Sequence, residues 1–212
     1  MNRRSFLLLA KIAEHTGRFD DMADMMKGVV NLDGHLNKEE RAMLSTVYRH
    51  LVGERRVAWR MVCSGYSNGD SIMGACGGDE DAHHVHDMFD VMRSRIEDEI
   101  MDYCDDIQDL LSKIILNETC TEGLVSLLKM KGDYYRYAAE ILTHEDLEMN
   151  LQLAHESYMK SYNLAVNSLS ASNDTRLGVA LNFSVFFYEV AKDTEKAIFM
   201  AKQTYQAGTI SY

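Results

Sequence analysis

The chain has 212 residues, of which 46% are hydrophobic, and this length and composition are sufficient for one domain with a substantial buried core. Its net charge of −11 argues against a nucleic-acid-binding protein, because such proteins concentrate Lys and Arg on one surface. Proline is absent from the sequence, while Ala, Leu, Met, Glu and Asp recur, so we expect an almost entirely helical protein.

The cysteines and the N-terminal segment are typical of a cytoplasmic protein. The four cysteines show no CxxC spacing, which argues against a zinc ribbon or a redox motif and predicts reduced thiols. They are Cys63, Cys76, Cys104 and Cys120. The N-terminus begins with MNRRSFLLLAKIAEH, whose apolar run is too short for a signal peptide, so we interpret it as the first amphipathic helix. No stretch approaches the roughly 20 apolar residues that a membrane span requires.

The first predicted helices form a hairpin. They cover residues 4–15 and 19–31, and Gly17 interrupts them. Asn37 followed by Glu40 is a capping-box pattern, in which each side chain bonds to the backbone N–H of the other residue. A third, long helix is therefore expected to begin here.

The third helix, predicted over residues 38–64, carries a row of basic side chains. Arg49, Arg56 and Arg60, with Gly53 between them, follow one another at spacings of three and four, which places them on one side of about three turns. Three guanidinium groups so close together repel one another. The row therefore indicates that something anionic binds here.

The rest of the chain divides into a loop and five further helices. Gly, Ser and Asn dominate residues 65–78, which predicts a flexible loop. A fourth helix begins near residue 79 or 81 and ends before Asn117. Two more capping boxes predict the starts of the fifth and sixth helices: Thr119 with Glu122, and Thr143 with Asp146. A turn at 172–175 precedes a seventh helix, and Asp193 caps an eighth.

The fifth helix contains the stretch KMKGDYYRYAAE, around which the chain is organised. One face is apolar and comprises Leu127, Met130, Tyr134, Ala138 and Ile141. The opposite face is polar and comprises Lys129, Gly132, Asp133, Arg136 and Glu140, with Tyr137 beside it. This polar face is either a binding site or a solvated surface with incidental ion pairs.

The seventh helix also has two distinct faces. Val179, Phe183, Phe186 and Val190 are predicted to face the core. The other face comprises Gly178, Leu181, Asn182, Val185 and Glu189. Because Leu and Val flank an Asn there, we interpret this face as a contact surface.

No metal, cofactor or catalytic site stands out in the sequence. His83 with Asp87, or His86 with Asp90, have the spacing of four that helical metal ligands use. The alternative, which we prefer for this segment and for its neighbour His84, is a polar helix start where acids favour the helix dipole. We find no nucleophile elbow, phosphate loop or paired general acid and base, and expect no enzyme.

Four motifs carry a resemblance to a known family. They are AKIAExxxRFDDMA at 10–23, YxxLVGxRRxxWR at 48–60, KMKGDYYRYxAE at 129–140 and RLGxALNFSVFxYE at 176–189. In this order they resemble the 14-3-3 proteins. The resemblance implies a single all-α domain over 1–212, an antiparallel bundle of about eight helices with a cup-like shape. Its parts would be a dimerisation hairpin and first groove helix at 1–64, the Gly-rich loop at 65–80 and the remaining groove helices at 81–212.

The resemblance implies an adaptor in signal transduction that binds phosphoserine or phosphothreonine peptides of client proteins. The family's phosphate pocket corresponds to Arg49, Arg56, Arg136 and Tyr137, with Arg49 in place of the usual Lys. The peptide groove corresponds to Lys129, Gly178, Leu181, Asn182, Val185 and Glu189, with Glu140 nearby.

The resemblance also implies a homodimer, or a heterodimer with another 14-3-3 chain. Across the interface, Arg18 would pair with Glu99 and Asp21 with Arg95. Ile12, Ala58 and Val62 would supply apolar contacts. Nothing after Gly208 matches the family's ninth helix, which normally completes the groove. Either the protein lacks this helix or the chain is a truncated version, and without the helix we expect a groove open on one side.

One alternative keeps the helical fold but changes the ligand. A helical-hairpin scaffold of the tetratricopeptide kind would bind unmodified peptides, but it would show a repeat near 34 residues with a proline in each repeat. The sequence has neither feature.

Overall fold

The computed structural model describes the backbone of residues 1–67 and 79–210 and the side chains of residues 1–64 and 87–206. Within these ranges the chain forms eight α-helices, which confirms the prediction of an all-α bundle. They are α1 (Arg3–His15), α2 (Phe19–Asp33), α3 (Lys38–Ser67), α4 (Asp79–Asn117), α5 (Thr121–Ala139), α6 (His144–Ser168), α7 (Asp174–Val185) and α8 (Thr194–Ile210). None of the described helices is long and apolar enough to cross a membrane.

The start of α3 is the predicted capping box. The Glu40 backbone N–H donates to Asn37 Oδ1 at 3.0 Å, and the Asn37 backbone N–H donates to Glu40 Oε2 at 2.9 Å. The Glu40 side chain is buried, so water competes poorly for this pair. Asp193 also caps α8 as expected, since its side chain accepts from the Lys196 backbone N–H at 3.0 Å.

The predicted capping boxes of α5 and α6 were wrong. Cys120, not Thr119, precedes the first residue of α5. Thr143 does precede α6, but its side chain makes no capping bond. Glu122 instead accepts hydrogen bonds from Asn173 Nδ2 at 3.2 Å and Thr175 Oγ1 at 2.9 Å. A tertiary contact with the start of α7 has replaced the local one.

This difference predicts opposite outcomes for two similar substitutions. Asn37→Ala should lower the free energy of unfolding by about 1 kcal/mol, because it removes an N-cap acceptor. Thr119→Ala should leave it unchanged, because the Thr119 side chain makes no capping bond. Urea unfolding followed by circular dichroism measures both values, and equal losses in the two variants would contradict the assignment of the caps.

Most of the predicted glycine-rich loop lies outside the residues that the structure describes. Helix α3 continues to Ser67, three residues beyond its predicted end, and α4 begins at Asp79. Residues 68–78 between them are outside the described residues. So are the side chains of the predicted histidine cluster at His83, His84 and His86.

The core has two principal parts. The larger part is built from the buried faces of α1 to α5 and includes Tyr48, Ile100 and Leu127, all at most 1% exposed. The second is aromatic and joins α6 to α7 and α8, where the rings of Tyr158 and Phe183 are stacked at 5.5 Å. Polar side chains of α5 lie between these two parts.

A turn of π-helix at Phe186–Val190 continues α7. The sequence pattern predicted Phe186 but not Phe187 in the core, and both are buried. A π turn holds more residues than an α turn, so the extra residue brings the second ring inward.

Helix α5 packs mainly against α6 and α4, and it reaches α3 through side-chain contacts. Arg41 is beside Gly123 and Arg56 is beside Glu140, so α3 and α5 run in the same direction. On the other side, Gly132 lets α6 approach closely: a Cβ there would lie only 2.9 Å from the Tyr158 ring. This packing brings side chains of α3, α5, α6 and α7 together.

Candidate functional site

Three guanidinium groups from two helices surround the carboxylate of Glu140. Arg56 of α3 donates to it through two nitrogens, with Nε at 2.9 Å from Oε2, and Arg60 Nη2 lies 3.1 Å from the same oxygen. Arg136 Nη1 of α5 is 3.9 Å from Oε1 of Glu140, and it is also 3.7 Å from Glu189 Oε2 on the π turn. The side chain of Glu140 therefore marks a place where this protein accommodates an anion.

Tyr137 supports this arginine cluster from one side. Its ring centroid lies 3.9 Å from Arg56 Cζ and 4.6 Å from Arg136 Cζ, so both cations contact the aromatic face. Its ring also meets that of Tyr134 edge to face at 5.5 Å. The structure thus brings together three of the four predicted phosphate-binding residues: Arg56, Arg136 and Tyr137.

The surroundings of Tyr137, Tyr158 and Arg136 keep all three side chains protonated. Burial raises the pKa of Tyr137, and burial together with Asp133 raises the pKa of Tyr158 well above its usual value. Both phenols therefore keep their protons at neutral pH and can donate hydrogen bonds. Burial lowers the pKa of Arg136, but Tyr158, Tyr137 and Asp133 raise it, and the net direction is upward.

Arg49, the fourth predicted residue, does not take part in the cluster. It is exposed two turns before Arg56 on the same face of α3 and borders an open surface concavity of about 550 Å³ together with Gly53. A Cβ on Gly53 would meet no atom within 4 Å, so the space beside Arg49 is clear. Among the described side chains, no carboxylate forms an ion pair with Arg49.

A second carboxylate, Asp133, holds two of the predicted groove residues. Lys129 Nζ donates to Asp133 Oδ2 at 2.7 Å, and Asn182 Nδ2 donates to Asp133 Oδ1 at 2.8 Å. Lys129 comes from α5 and Asn182 from α7, so Asp133 joins the two sides of the groove. Tyr158 of α6 also donates to Oδ1, at 2.5 Å.

The remaining groove residues line the exposed side of α7. Leu181 is 63% exposed, Val185 is partly exposed one turn later, and a Cβ on Gly178 would meet no atom within 4 Å. Glu189 follows on the π turn, facing Arg136. An apolar strip on α7 therefore lies beside the polar groups held by Asp133.

The alternative of a solvated polar face on α5 was wrong. Asp133 and Arg136 are each only 6% exposed, because α6 packs over them. The sequence pattern pointed to Asp133 through its spacing from Lys129 and Arg136. Tyr158, 25 residues further on, gave no comparable signal.

The side chains predicted to pair across a dimer interface have partners within the same chain. Arg18 pairs with Asp21, and Arg95 Nε lies 3.4 Å from Glu99 Oε1. Ile12 is 50% exposed on α1. Ala58 and Val62, by contrast, are partly buried against the larger core.

Comparisons with known proteins agree with this architecture. The family model described as 14-3-3 protein matches residues 9–211. The chain is 38% identical to 14-3-3-like protein 2 of Caenorhabditis elegans, over 92% of this chain and 75% of that protein. It is 37% identical to 14-3-3 protein homolog 2 of Echinococcus multilocularis, over 96% and 78% of the two chains. With 14-3-3 protein beta/alpha of Mus musculus the identity is 36%, over 97% and 80%. The chain therefore belongs to the 14-3-3 family.

Proposed function

We propose that this protein is a non-enzymatic adaptor that binds phosphoserine or phosphothreonine peptides of client proteins. The observation that carries the proposal is the convergence of Arg56, Arg60 and Arg136 on one carboxylate. A phosphate group is a stronger acceptor than a carboxylate and has three terminal oxygens. Planar guanidinium groups can bind it through pairs of hydrogen bonds.

The charge of the groove suits one phosphate group. Five basic side chains face three acidic ones, which leaves two positive charges in excess: Arg49, Arg56, Arg60, Lys129 and Arg136 against Asp133, Glu140 and Glu189. A phosphoserine carries about −1.5 to −2 charges at neutral pH. Arg49 is exposed and can reach the ligand, and the Tyr137 phenol can donate one further bond.

The rest of the groove suits an extended peptide. Lys129 and the Asn182 amide are placed to bond peptide backbone or side-chain oxygens, while Leu181 and Val185 offer apolar contact. This division into a polar and an apolar wall allows one groove to accept different sequences around the phosphate. We therefore propose that the phosphate determines most of the affinity.

We further propose that the protein acts in the cytoplasm as a homodimer or as a heterodimer with another 14-3-3 chain. Helix α1 exposes apolar surface at Leu8, Leu9 and Ile12. Covering this surface with a partner chain would remove it from water and so stabilise the dimer. Arg18, Asp21, Arg95 and Glu99 could then exchange their present partners for residues of the second chain.

A pair of labelled peptides tests the proposed function. The probe is a fluorescein-labelled peptide pool with one central phosphoserine and randomised flanking positions, compared with the same pool containing serine. Because each charge-assisted hydrogen bond contributes about 1.5–3 kcal/mol, we expect the phosphorylated pool to bind at least about tenfold more tightly in fluorescence polarisation. Equal affinities for both pools would contradict the proposal and favour a scaffold for unmodified peptides.

A further inference from the structure

We propose that Asp133 and Tyr158 are positioning residues that hold Lys129, Asn182 and Arg136 in the geometry that binds a phosphopeptide. This inference rests on the proposed function and assigns a role to a buried part of the same site. Neither residue needs to touch the ligand. Both are nearly inaccessible, since Asp133 is 6% exposed and Tyr158 is fully buried.

The first step of the argument is the set of hydrogen bonds around Asp133. Its Oδ2 accepts from Lys129 at 2.7 Å, and its Oδ1 accepts from Asn182 at 2.8 Å and from the Tyr158 hydroxyl at 2.5 Å. Three helices thus place one donor each on a single carboxylate. A long Lys side chain and a primary amide otherwise have many rotamers, and fixing them in advance lowers the entropy lost on binding.

The second step connects Asp133 to the arginine cluster through Tyr158. The Tyr158 hydroxyl donates to Asp133 and at the same time accepts from Arg136 Nε at 3.2 Å. With Nε engaged on this buried side, Nη1 of the same guanidinium group lies 3.9 Å from Glu140 Oε1 and 3.7 Å from Glu189 Oε2, while Nη2 lies 4.0 Å from Asp133 Oδ1. The planar group is thereby oriented towards the place that we assign to the phosphate.

The third step is the rigidity of Tyr158 itself. Its ring is stacked with Phe183 of α7, with 5.5 Å between the ring centroids. The ring also contacts α5 closely at Gly132, which has no side chain to keep it away. A ring packed on both sides holds its hydroxyl at one position. Phe183 lies one residue after Asn182, so the same packing also fixes the part of α7 that carries Asn182.

The charge of Asp133 makes this inference testable by the sign of an effect. If Asp133 were only a negative charge near the site, removing it would strengthen the binding of an anionic ligand. If it is a positioning residue, its replacement by Asn loosens the set of donors, since an amide is uncharged and has one acceptor oxygen for Lys129, Asn182 and Tyr158. Binding would then weaken although the site becomes more positive.

The experiment measures the affinity of Asp133→Asn and Tyr158→Phe for the phosphoserine and serine peptide pools. We expect Asp133→Asn to weaken binding of the phosphorylated pool about tenfold and Tyr158→Phe about fivefold, in line with a lost charge-assisted and a lost neutral hydrogen bond. The matched control is Tyr162→Phe. Tyr162 lies one turn further along α6 and also packs on Phe183, but its hydroxyl bonds to no residue in the described part of the chain. The Tyr162→Phe variant should therefore bind the phosphorylated pool with the affinity of the wild type.

A spectroscopic measurement separates positioning from a general loss of stability. In ¹⁵N-labelled protein, the Arg136 Nε–H should exchange slowly with water, because it donates to the buried Tyr158 hydroxyl. Tyr158→Phe should speed this exchange and Tyr162→Phe should not. The cross-peak is assigned by its disappearance in Arg136→Lys.

Each outcome decides one of the two proposals. A wild-type protein that binds both pools equally contradicts the proposed function. A wild-type protein that prefers the phosphorylated pool, together with unchanged or tighter binding in either Asp133→Asn or Tyr158→Phe, overturns only the positioning role. If Asp133→Asn fails to fold, Tyr158→Phe decides, since it keeps the ring and removes a single hydroxyl.

Discussion

Arg136→Ala is expected to abolish the difference in affinity between phosphorylated and unphosphorylated peptides. Arg136 is 6% exposed, and its guanidinium group is fixed by Tyr158, Tyr137 and two carboxylates. The substitution removes a preoriented cation from the proposed phosphate site and leaves Glu140 with fewer neutralising partners. We expect the phosphorylated pool to lose about tenfold or more in affinity, while the weak binding of the serine pool changes little.

Two further variants make this result interpretable. Arg56→Ala removes a second cation from the same cluster and should have the same effect, because both groups form ion pairs with Glu140. Arg4→Ala removes an equal charge from an exposed position on α1 and should leave the preference intact. If Arg136→Ala bound the phosphorylated pool ten times better than the serine pool, the phosphate would lie elsewhere. Circular dichroism of each variant shows whether the fold is retained.

Gly132→Ala is expected to destabilise the protein, whereas Gly178→Ala should stabilise it. At Gly132 an added Cβ would lie 2.9 Å from two atoms of the Tyr158 ring, which is fully buried and cannot move aside freely. Inserting a methyl group into such a packed contact costs about 1–3 kcal/mol. At Gly178 an added Cβ meets nothing within 4 Å, and replacing a helical Gly by Ala contributes up to about 1 kcal/mol.

Urea unfolding of the two glycine variants measures these free energies directly. The comparison is matched, because both glycines lie inside α-helices and both receive the same methyl group. A stabilising effect of Gly132→Ala would show that α6 can move away from α5 without loss. In that event the argument that Tyr158 is rigidly held would fail as well.

The regular features of this protein could be read from residue spacing alone. Helical periodicity placed Leu127, Met130 and Tyr134 on one side of α5, and all three are buried. It also placed Arg56 and Arg60 on one side of α3, where both reach Glu140. The capping box of Asn37 and Glu40 is equally local, since both partners lie within one turn. The period of 3.6 residues per turn determines which side chains share one face of a helix, so these predictions need no knowledge of how the helices pack.

Other features depended on which helices became neighbours. Thr119 with Glu122 has the spacing of a capping box, yet Glu122 bonds to Asn173 and Thr175 of a distant segment. The pattern of the polar face of α5 allowed either a binding site or a solvated surface, and only the packed structure shows that Tyr158 of α6 covers Asp133 and Arg136. Sequence spacing determines which side chains share a face of a helix. Only the packing of one helix against another determines whether that face meets water or a hydrogen-bonding partner, because that partner lies far away along the chain.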